Sequence, residues 1–540
     1  MSSLYRHTCE TRETYTVSKR VNPIKRSYLL LEDWFNVSFG PDWNPLYHLG
    51  TLAFFFFWVV LVSGIYLFIF FNTSISGAYT SVEYLTHDQW YAGGIMRSLH
   101  RYASDAAVVT ILLHMFREFS LDRYRGFRWW SWLTGVPTLW FVITLGITGY
   151  WLVWDELGLY VAVLSSQLMD SLPVMSGSMA RDFLAGQLTD RLFTLMGFLH
   201  LLGQPILLMF ALWIHVKRLS HVEVSAPRGL AVGSFIALLV LSLLAPATSH
   251  GPADLSRVPA VLNLDWFYLN VYPLLDKWTA GEVWILTTSV TLLLMLMPWL
   301  PPKKTGAAAE VHLDNCNGCG QCAEDCPFDA ISIQARTDGA RWDHEVVVNP
   351  NQCAACGICV GSCHSSNPFR HAQKTLETGI DMPQFPIDEV RTRTETALAA
   401  LTGDTRIILF GCDNAIDIEQ FQSQDVAVLS LFCTGMIPPT LVEYAQRKGA
   451  DGVFITGCRT GDCYYRLGNA WLDQRFEGKR KPALRQRAKR DRITIYRAAE
   501  TDTARLRRKL AEFQRDIAAR KQADVDAGST TDKAQEVSDA

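Results

Sequence analysis

The chain has 540 residues, of which 49% are hydrophobic and 19% are charged. This length predicts more than one domain, and the composition excludes a uniformly soluble protein. The net charge is −3, and basic and aromatic residues do not alternate, so no nucleic-acid partner is expected. The composition changes along the chain, because residues 46–300 are dominated by apolar runs and residues 303–540 have the composition of a soluble protein.

Residues 1–45 are polar and lack a short apolar run with a cleavage site, so no cleaved signal peptide is expected. Six later runs are long enough to cross a bilayer, which takes about 20 apolar residues. They lie near residues 47–71, 94–117, 132–154, 192–216, 229–247 and 281–300. Basic residues concentrate before the first run, between the second and third, between the fourth and fifth, and after the sixth. The positive-inside rule then predicts a multi-pass protein of a prokaryotic inner membrane with both termini and all later domains in the cytoplasm.

Four histidines occur at matched positions in two of these runs. His100 and His114 are 14 residues apart in the second run, and His200 and His215 are 15 apart in the fourth. Such spacing puts each pair on one helix face, about 21 Å apart in depth. If the two helices are antiparallel neighbours, His100 faces His200 and His114 faces His215. Because axial imidazoles hold haem, and ionisable residues within spans usually have a function, we predict two bis-histidine haems. The alternative is satisfied core histidines or interface anchors.

Arginines and glycines share this pattern. Arg97 and Arg117 each lie three residues outside a histidine, and we predict that they pair with haem propionates. Two pairs of glycines repeat the 14-residue spacing in the first and third runs: Gly50 and Gly64, and Gly135 and Gly149. Small residues commonly allow close helix packing, but the shared period predicts that these glycines make room for porphyrin rings.

Residues 30–300 resemble cytochrome b of the quinol–cytochrome c/plastocyanin oxidoreductases, most of all the split chloroplast-type form. The resemblance rests on the four glycines, the histidine spacing, "RSLHR", "HMFR" and "TGYWLVWDE". It implies that His100 and His200 hold the outer haem, that His114 and His215 hold the inner haem, and that the protein forms a homodimer. In "NLDWFYLNVYPLL", Asp265 and Trp266 stand at the family's Pro-Glu-Trp-Tyr quinol-oxidation motif, as a candidate outer quinone site.

A linker at residues 301–310 leads to "CNGCGQCAEDCP" and "CAACGICVGSCH". This repeated C-x2-C-x2-C-x3-C spacing predicts an α+β ferredoxin domain over residues 311–375 with two [4Fe–4S] clusters. In such domains the fourth cysteine of each motif ligates the other cluster. The predicted ligand sets are Cys316, Cys319, Cys322 and Cys363 for one cluster, and Cys353, Cys356, Cys359 and Cys326 for the other. Structural zinc is the alternative.

Residues 400–521 contain short apolar runs separated by helical segments, which predicts an α/β domain with a parallel sheet. Three of these runs end in Cys412, Cys433 and Cys458, and Cys463 follows. Because ligands bind at the carboxyl ends of parallel strands, the four thiols predict a metal site. The alternative is that they pack as small hydrophobic side chains. Residues 522–540 are polar and are predicted to form a disordered tail.

"GADGVFITGCRTGDCYY" and "FCTGMIPP" resemble the delta subunit of methyl-viologen-reducing hydrogenase, a small iron–sulfur protein. The resemblance implies a [2Fe–2S] cluster on Cys412, Cys433, Cys458 and Cys463, and electron exchange with heterodisulfide-reductase-like flavoproteins. Ala415 stands where that family has the second cysteine of a C-x-x-C motif.

These modules predict the membrane subunit of a quinone-linked oxidoreductase. Its [2Fe–2S] cluster, two [4Fe–4S] clusters and two b haems connect a cytoplasmic FAD flavoprotein or iron–sulfur partner with quinone in the lipid bilayer. The expected route runs from the C-terminal cluster through the ferredoxin to the inner haem, and its direction stays open. The alternatives are a bc-type subunit that passes electrons to an outer Rieske or cytochrome partner, and a membrane anchor of a heterodisulfide-reductase-like complex.

Overall fold

Helices form at all six predicted membrane runs. The computed structural model describes residues 22–173, 189–256, 261–303, 306–369 and 377–538, without the side chains of residues 189 and 525–538, so the first 21 residues of the predicted N-terminal segment lie outside this description. The helices of the first 300 residues are α1 Pro23–Phe39, α2 Leu49–Phe70, α3 Ile75–Glu83, α4 Ile95–Ser120, α5 Trp129–Val153, α6 Glu156–Asp170, α7 Thr189–Phe198, α8 Gln204–Val216, α9 Arg228–Leu244 and α10 Ala280–Leu296.

Three of the described helical stretches are long and apolar enough to cross a membrane: Leu49–Phe70, Gly126–Val153 and Asp190–Val216. The apolar helices α9 and α10 have 17 residues each. The 26-residue helix α4 carries charged residues along its length. Many large apolar side chains face outward, including Ile69, Met209 and Ile285, each 69% exposed. An apolar surface of this extent suits contact with lipid rather than water.

The fourth run is not one regular helix. A π-helical turn, Leu199–Gly203, joins α7 to α8 and contains His200. Single π-helical turns inside helices are frequent at functional sites because they re-aim side chains. Helix α2 packs along α4, and α5 packs along α8, so each helix with predicted ligand histidines lies beside one with the spaced glycines.

The ferredoxin part consists of two small antiparallel sheets and two short helices. Strand β1 Glu310–Val311 pairs with β4 Ile380–Asp381, and β2 Ile331–Ala335 pairs with β3 His344–Val348. Helices α11 Gln321–Glu324 and α12 Ile358–Ser362 follow the first cysteines of each motif. Each helix is preceded by a glycine in the left-handed region, Gly320 at φ 74° and Gly357 at φ 73°, where other residues are strained.

The C-terminal part is the predicted α/β domain with a parallel sheet. Its elements are α13 Ile387–Ala399, β5 Ile407–Cys412, β6 Val426–Leu431, α14 Pro439–Arg447, β7 Gly452–Gly457, α15 Gly468–Glu477, β8 Ile493–Arg497 and α16 Thr503–Ser538. The strand order is β6-β5-β7-β8, and all pairings are parallel. From β5 the chain goes to β6, which neighbours β5 at one edge, and then crosses to β7, which neighbours β5 at the opposite edge. The topological switch point therefore lies between β5 and β7.

The tail differs from its prediction, because α16 continues through residues 522–538 where the composition predicted disorder. Its first turns bury Leu506, Leu510 and Phe513 against the sheet. Helix nucleation is the costly step and elongation is not, so a packed start supports the further turns of the helix.

The ferredoxin and α/β parts share one hydrophobic core. Phe328 and Val346 of the first part belong to the same buried cluster as Phe410 and Leu441 of the second. The segment between the two predicted domains, residues 376–399, contributes β4 and α13, and its Phe385 is fully buried in this core. The two parts therefore form a single iron–sulfur unit, the name used below for residues 306–521.

A buried ion pair connects the two parts of this unit. The fully buried Arg475 of α15 donates to Asp325 Oδ2 at 2.6 Å, Ser362 Oγ at 2.5 Å and the Gly435 carbonyl at 2.8 Å. Gly361 gives this contact its space, because a Cβ there would lie 2.6 Å from the Arg475 guanidinium. Each acceptor lies within two residues of a predicted cluster ligand, so one side chain fixes three cysteine loops.

Arg475→Met is expected to destabilise the whole iron–sulfur unit by about 3 kcal/mol, because it leaves the buried Asp325 carboxylate with less compensation. Hydrogen exchange should increase in peptides of both the ferredoxin and the α/β part. The double variant Arg475→Met/Asp325→Asn should recover part of the loss, and the exposed-site variant Arg393→Met should have almost no effect. Loss of protection in only one of the two parts would contradict the shared core.

Candidate functional site

Each predicted glycine faces one predicted histidine across a helix–helix contact. A Cβ at Gly64 would lie 2.9 Å from His100 Cε1, and a Cβ at Gly149 would lie 3.1 Å from His200 Cε1. At the other depth, the corresponding distances are 3.2 Å from Gly135 to His215 and 3.8 Å from Gly50 to His114. The atoms nearest to these glycines are imidazole carbons, so the glycines make room for histidine rings.

His100 and His200 face one another with ring centroids 6.3 Å apart. A metal held between two imidazoles by bonds of about 2 Å needs a centroid separation of about 6 Å. His100 Nδ1 lies 3.0 Å from the Val60 carbonyl, and His200 Nδ1 lies 3.0 Å from the Leu145 carbonyl. A carbonyl partner keeps the proton on Nδ1 and leaves Nε2 for the metal. These residues therefore fit a bis-imidazole haem.

A hydroxyl group supports three of the four histidines. Ser63 Oγ lies 3.2 Å from Nδ1 of His100, Thr148 Oγ1 lies 3.1 Å from that of His200, and Thr134 Oγ1 lies 3.3 Å from that of His215. Each hydroxyl residue immediately precedes one of the spaced glycines. This Ser/Thr-Gly pattern is visible in the sequence, although the analysis of spacing alone missed it. Leu49 precedes Gly50, and among the described residues no side chain hydrogen-bonds His114.

A cavity of about 680 Å³ adjoins the first histidine pair. Its lining includes His100, His200, Gly64 and Gly149, and the remaining walls are largely apolar. Arg97 also lines it, with hydrogen bonds to Thr86 and Ser249 and with Glu83 at 3.6 Å. The cavity, the facing rings and the nearby cation are together what a haem with propionates requires, and the propionate contact of Arg97 stays a prediction.

Arg117, the second predicted propionate ligand, is held by carboxylates from two other parts of the chain. Its Nε donates to Glu32 of α1 at 3.0 Å, and its terminal nitrogen donates to Asp462 of the α/β domain at 2.5 Å. Burial raises the pKa of Glu32, with a further rise from Asp462 and opposition from Arg117. The propionate role of Arg117 is untested, and its partners Glu32 and Asp462 were not predicted.

The two consecutive residues of the candidate quinone site have side chains in different surroundings. Asp265 lines the cavity and accepts hydrogen bonds from Arg101 at 2.7 Å and from the Tyr150 hydroxyl at 2.6 Å. Trp266 is 71% exposed and stacks on Phe267, with centroids 4.2 Å apart. Only the carboxylate therefore faces the cavity, and the sequence analysis missed its two partners although both lie inside quoted motifs.

The crossed ligand sets of the ferredoxin thiols stay a prediction, and the mutual influence of the thiols is consistent with them. Burial raises the pKa of Cys322, and among the thiols Cys363 adds most to this rise. Burial likewise raises the pKa of Cys356, and among the thiols Cys326 adds most. Cys319 is exposed, whereas Cys356 is buried. Among the described residues, no three His, Cys, Asp or Glu side chains converge as a site for one metal ion. The donor chemistry, four thiols in each group, is that of iron–sulfur clusters.

The C-terminal thiols lie at the switch point of the sheet. Cys412 ends β5, Cys458 follows β7, and their sulfurs are 4.0 Å apart. Hydrogen bonds from the thiols of Cys433 and Cys458 hold the pKa of Cys463 well below its usual range. Cys412 therefore neighbours Cys458, and Cys463 neighbours both Cys433 and Cys458. Thiols that share hydrogens must release them when a metal cluster binds.

Two further residues shape this thiol group. A Cβ at Gly468 would lie 2.2 Å from Cys433 Sγ, so only glycine fits there. Ala415 packs beside Cys412 and Cys458, where the related family has a further cysteine. The remaining four thiols supply a complete set of donors without it.

Comparison with known proteins gives three family matches. The model for cytochrome b/b6/petB matches residues 37–223, the 4Fe-4S dicluster domain matches residues 315–367, and the delta subunit of methyl-viologen-reducing hydrogenase matches residues 407–519. Over 189 residues, 35% of this chain, it is 29% identical to cytochrome b6 of Gracilaria tenuistipitata var. liui and of Porphyra purpurea, covering 87% of each. A solved structure titled "Hyperthermophilic respiratory Complex III" overlaps 47% of this chain and 75% of its own, with 20% identity and a TM-score of 0.39.

The matched domains define an electron-transfer oxidoreductase component with a membrane cytochrome. More particularly, the chain joins a cytochrome b/b6 domain, a 4Fe-4S dicluster domain and a hydrogenase delta-subunit domain, in this order. The predicted fusion is confirmed. The cytochrome b domain implies haem b, and the dicluster domain implies iron–sulfur clusters.

Gly64→Val is expected to abolish haem binding between His100 and His200, because the added side chain would occupy the position of the His100 ring. The haem content of the purified protein should fall from the two predicted haems to about one per chain, and its α-band absorbance should fall with it. The matched control is Gly233→Val in α9, since a Cβ there meets no atom within 4 Å. Full haem content in Gly64→Val would contradict the assignment of His100.

Proposed function

We propose that this chain is the membrane subunit of a quinone-linked electron-transfer complex. The observation that carries the proposal is the facing pair His100 and His200, set among apolar helices that contact a cysteine-rich iron–sulfur unit. When bound, haems and iron–sulfur clusters accept and release single electrons. We assign His100 and His200 to the outer haem and His114 and His215 to the inner haem, with the cysteine sets predicted from sequence as cluster ligands.

The haem would take the part of the cavity next to His100 and His200, and the part lined by Asp265 suits a quinone headgroup, because it combines apolar walls with a few convergent polar groups. Asp265 is the group that exchanges a proton with the quinol hydroxyl. Tyr150 and Arg101 hold its carboxylate in place. This charge network lies within the helix bundle, and charged groups at such depth generally mark a substrate or proton path.

The proposal includes six spans in a prokaryotic inner membrane, with the iron–sulfur unit in the cytoplasm. Its support is the distribution of basic residues and the apolar outer surface of the helices. The [2Fe–2S] cluster is assigned to Cys412, Cys433, Cys458 and Cys463. The soluble partner is an FAD flavoprotein of the heterodisulfide-reductase type, as the hydrogenase delta-subunit match suggests, and the homodimer rests on the cytochrome b resemblance alone.

Quinone added anaerobically to the reduced, purified chain is expected to reoxidise its haem, observed as loss of the α-band. Asp265→Asn should slow this reaction about 100-fold, as expected for removal of the general acid that gives a proton to the quinone as it is reduced to quinol. The control Asp88→Asn changes an exposed carboxylate at the end of the π-helical turn Tyr84–Asp88 and should react at the original rate.

Purification of the tagged chain from native membranes, with identification of bound proteins and flavin, tests the partner. An FAD protein supports the proposal. If an FAD protein is bound but the haem absorbance does not change when quinone is added, the chain would instead be a membrane anchor. An outer Rieske or cytochrome protein would indicate bc-type chemistry.

A further inference from the structure

One loop of the α/β domain makes most of the contacts between the iron–sulfur unit and the membrane helices. It comprises residues 459–466, follows β7, and is called the docking loop below. Arg459 donates to the Leu29 carbonyl of α1 at 3.2 Å. Gly461, at φ 76°, lies against Tyr47, since a Cβ there would be 2.6 Å from that ring. Arg466 donates to the Ser220 carbonyl at 2.9 Å. Cys463, a predicted cluster ligand, lies inside this loop.

Asp462 is the central contact of the docking loop. Its Oδ1 accepts from Arg117 at 2.5 Å and from Arg123 at 2.7 Å, and its carbonyl accepts from Arg123 at 3.0 Å. All three side chains are more than 90% buried. Charge-assisted hydrogen bonds are the strong ones, and removing one member of a buried set leaves an uncompensated charge. The loop is therefore bound firmly to the segment that joins α4 to α5.

The residues after Cys463 continue this contact toward the inner histidine pair. Tyr465 stacks on Phe127, with centroids 5.5 Å apart and an interplanar angle of 24°. The Tyr464 carbonyl accepts from Arg128 at 2.5 Å. Arg128 also donates to Glu118 at 3.2 Å, and Glu118 lies one helical turn beyond His114. A short series of packed and hydrogen-bonded groups thus joins Cys463 to the turn of α4 that follows His114.

The ferredoxin approaches the same thiols from the other side. Cys356 and Ile358 share a buried cluster with Cys433 and Trp471 of the α/β domain. The second thiol group of the ferredoxin, which includes Cys319, is the one with an exposed ligand. The ferredoxin also contacts the membrane half directly, through bonds to backbone carbonyls and one aromatic contact. Ser220 bonds the Cys326 and Pro327 carbonyls, His221 Nε2 lies 2.9 Å from the Glu324 carbonyl, and Phe328 packs on Phe127 with ring centroids 4.9 Å apart.

We infer that the order of redox sites in space differs from their order along the chain. Resting on the proposed function, the order is the Cys319 group, the Cys356 group, the Cys463 group and then the inner histidine pair. The soluble partner meets the Cys319 group. In the last step the site that includes Cys463 loses one electron and the site held by His114 and His215 gains it, and no proton or bond moves. This order reverses the route expected from sequence, in which the C-terminal site was the entry.

Arg123→Gln tests the docking loop from the membrane side, at a residue that is not itself a predicted ligand. The chain is mixed anaerobically with reduced methyl viologen, and haem reduction is followed at the α-band. The rate is expected to fall at least tenfold, while the EPR spectra of the reduced clusters keep their wild-type shape and intensity. Hydrogen exchange should rise in a peptide covering residues 459–466 and stay unchanged at residues 324–328.

Ser220→Ala is the competing variant, because it removes the hydroxyl that bonds the Cys326 carbonyl of the ferredoxin. It should leave the haem reduction rate within about twofold of wild type. A slow Ser220→Ala with a fast Arg123→Gln would place the ferredoxin next to the inner pair and overturn the inference. Equal rates in wild type and both variants, or equal slowing in both variants, would overturn it as well. The assay contains no quinone and no partner protein, so it can succeed or fail independently of the proposed function.

Discussion

The membrane domain depends on one steric constraint, namely that two imidazole rings must fit between helices that also pack against each other. At Gly64, Gly135 and Gly149, a single added carbon would lie 2.9 to 3.2 Å from a histidine ring. The hydroxyl residues just before these glycines then reach Nδ1 of the same histidines. Two adjacent residues of one helix therefore make room for the imidazole ring and orient it, and the histidine itself comes from the neighbouring helix.

This local origin explains why the histidine and glycine positions could be predicted. A helix repeats its faces at a fixed angle, so a spacing of 14 or 15 residues carries three-dimensional information. The cysteine motifs carry such information as well, since three of the four ligands predicted for each ferredoxin cluster lie within a few residues of each other. The parallel sheet was predictable from its buried, β-branched runs, and the convergence of Cys412 and Cys458 follows from the adjacency of β5 and β7.

What could not be predicted are contacts between residues that are far apart in the chain. Arg117 has the spacing of a propionate ligand, yet its carboxylate partners lie 85 and 345 residues away. Asp265 was identified from its motif, but its partners Arg101 and Tyr150 come from two other helices. The core shared by the ferredoxin and α/β parts was not predicted, for a related reason. Residues 376–399 have no motif, and only the fold shows that Phe385 occupies the core common to both.

Buried ion pairs join the modules, at Arg475–Asp325 within the iron–sulfur unit and at Arg117–Asp462–Arg123 toward the membrane. Well-packed apolar residues often stabilise an interface equally well, so stability alone does not explain these charges. An apolar surface tolerates small shifts, whereas a buried carboxylate must meet its own arginines or remain unpaired. The ion pairs thus select one relative position of the two surfaces that they join. Each of these surfaces carries a predicted ligand or a residue next to one. For sites that exchange electrons, a fixed separation is the property that such an interface has to maintain.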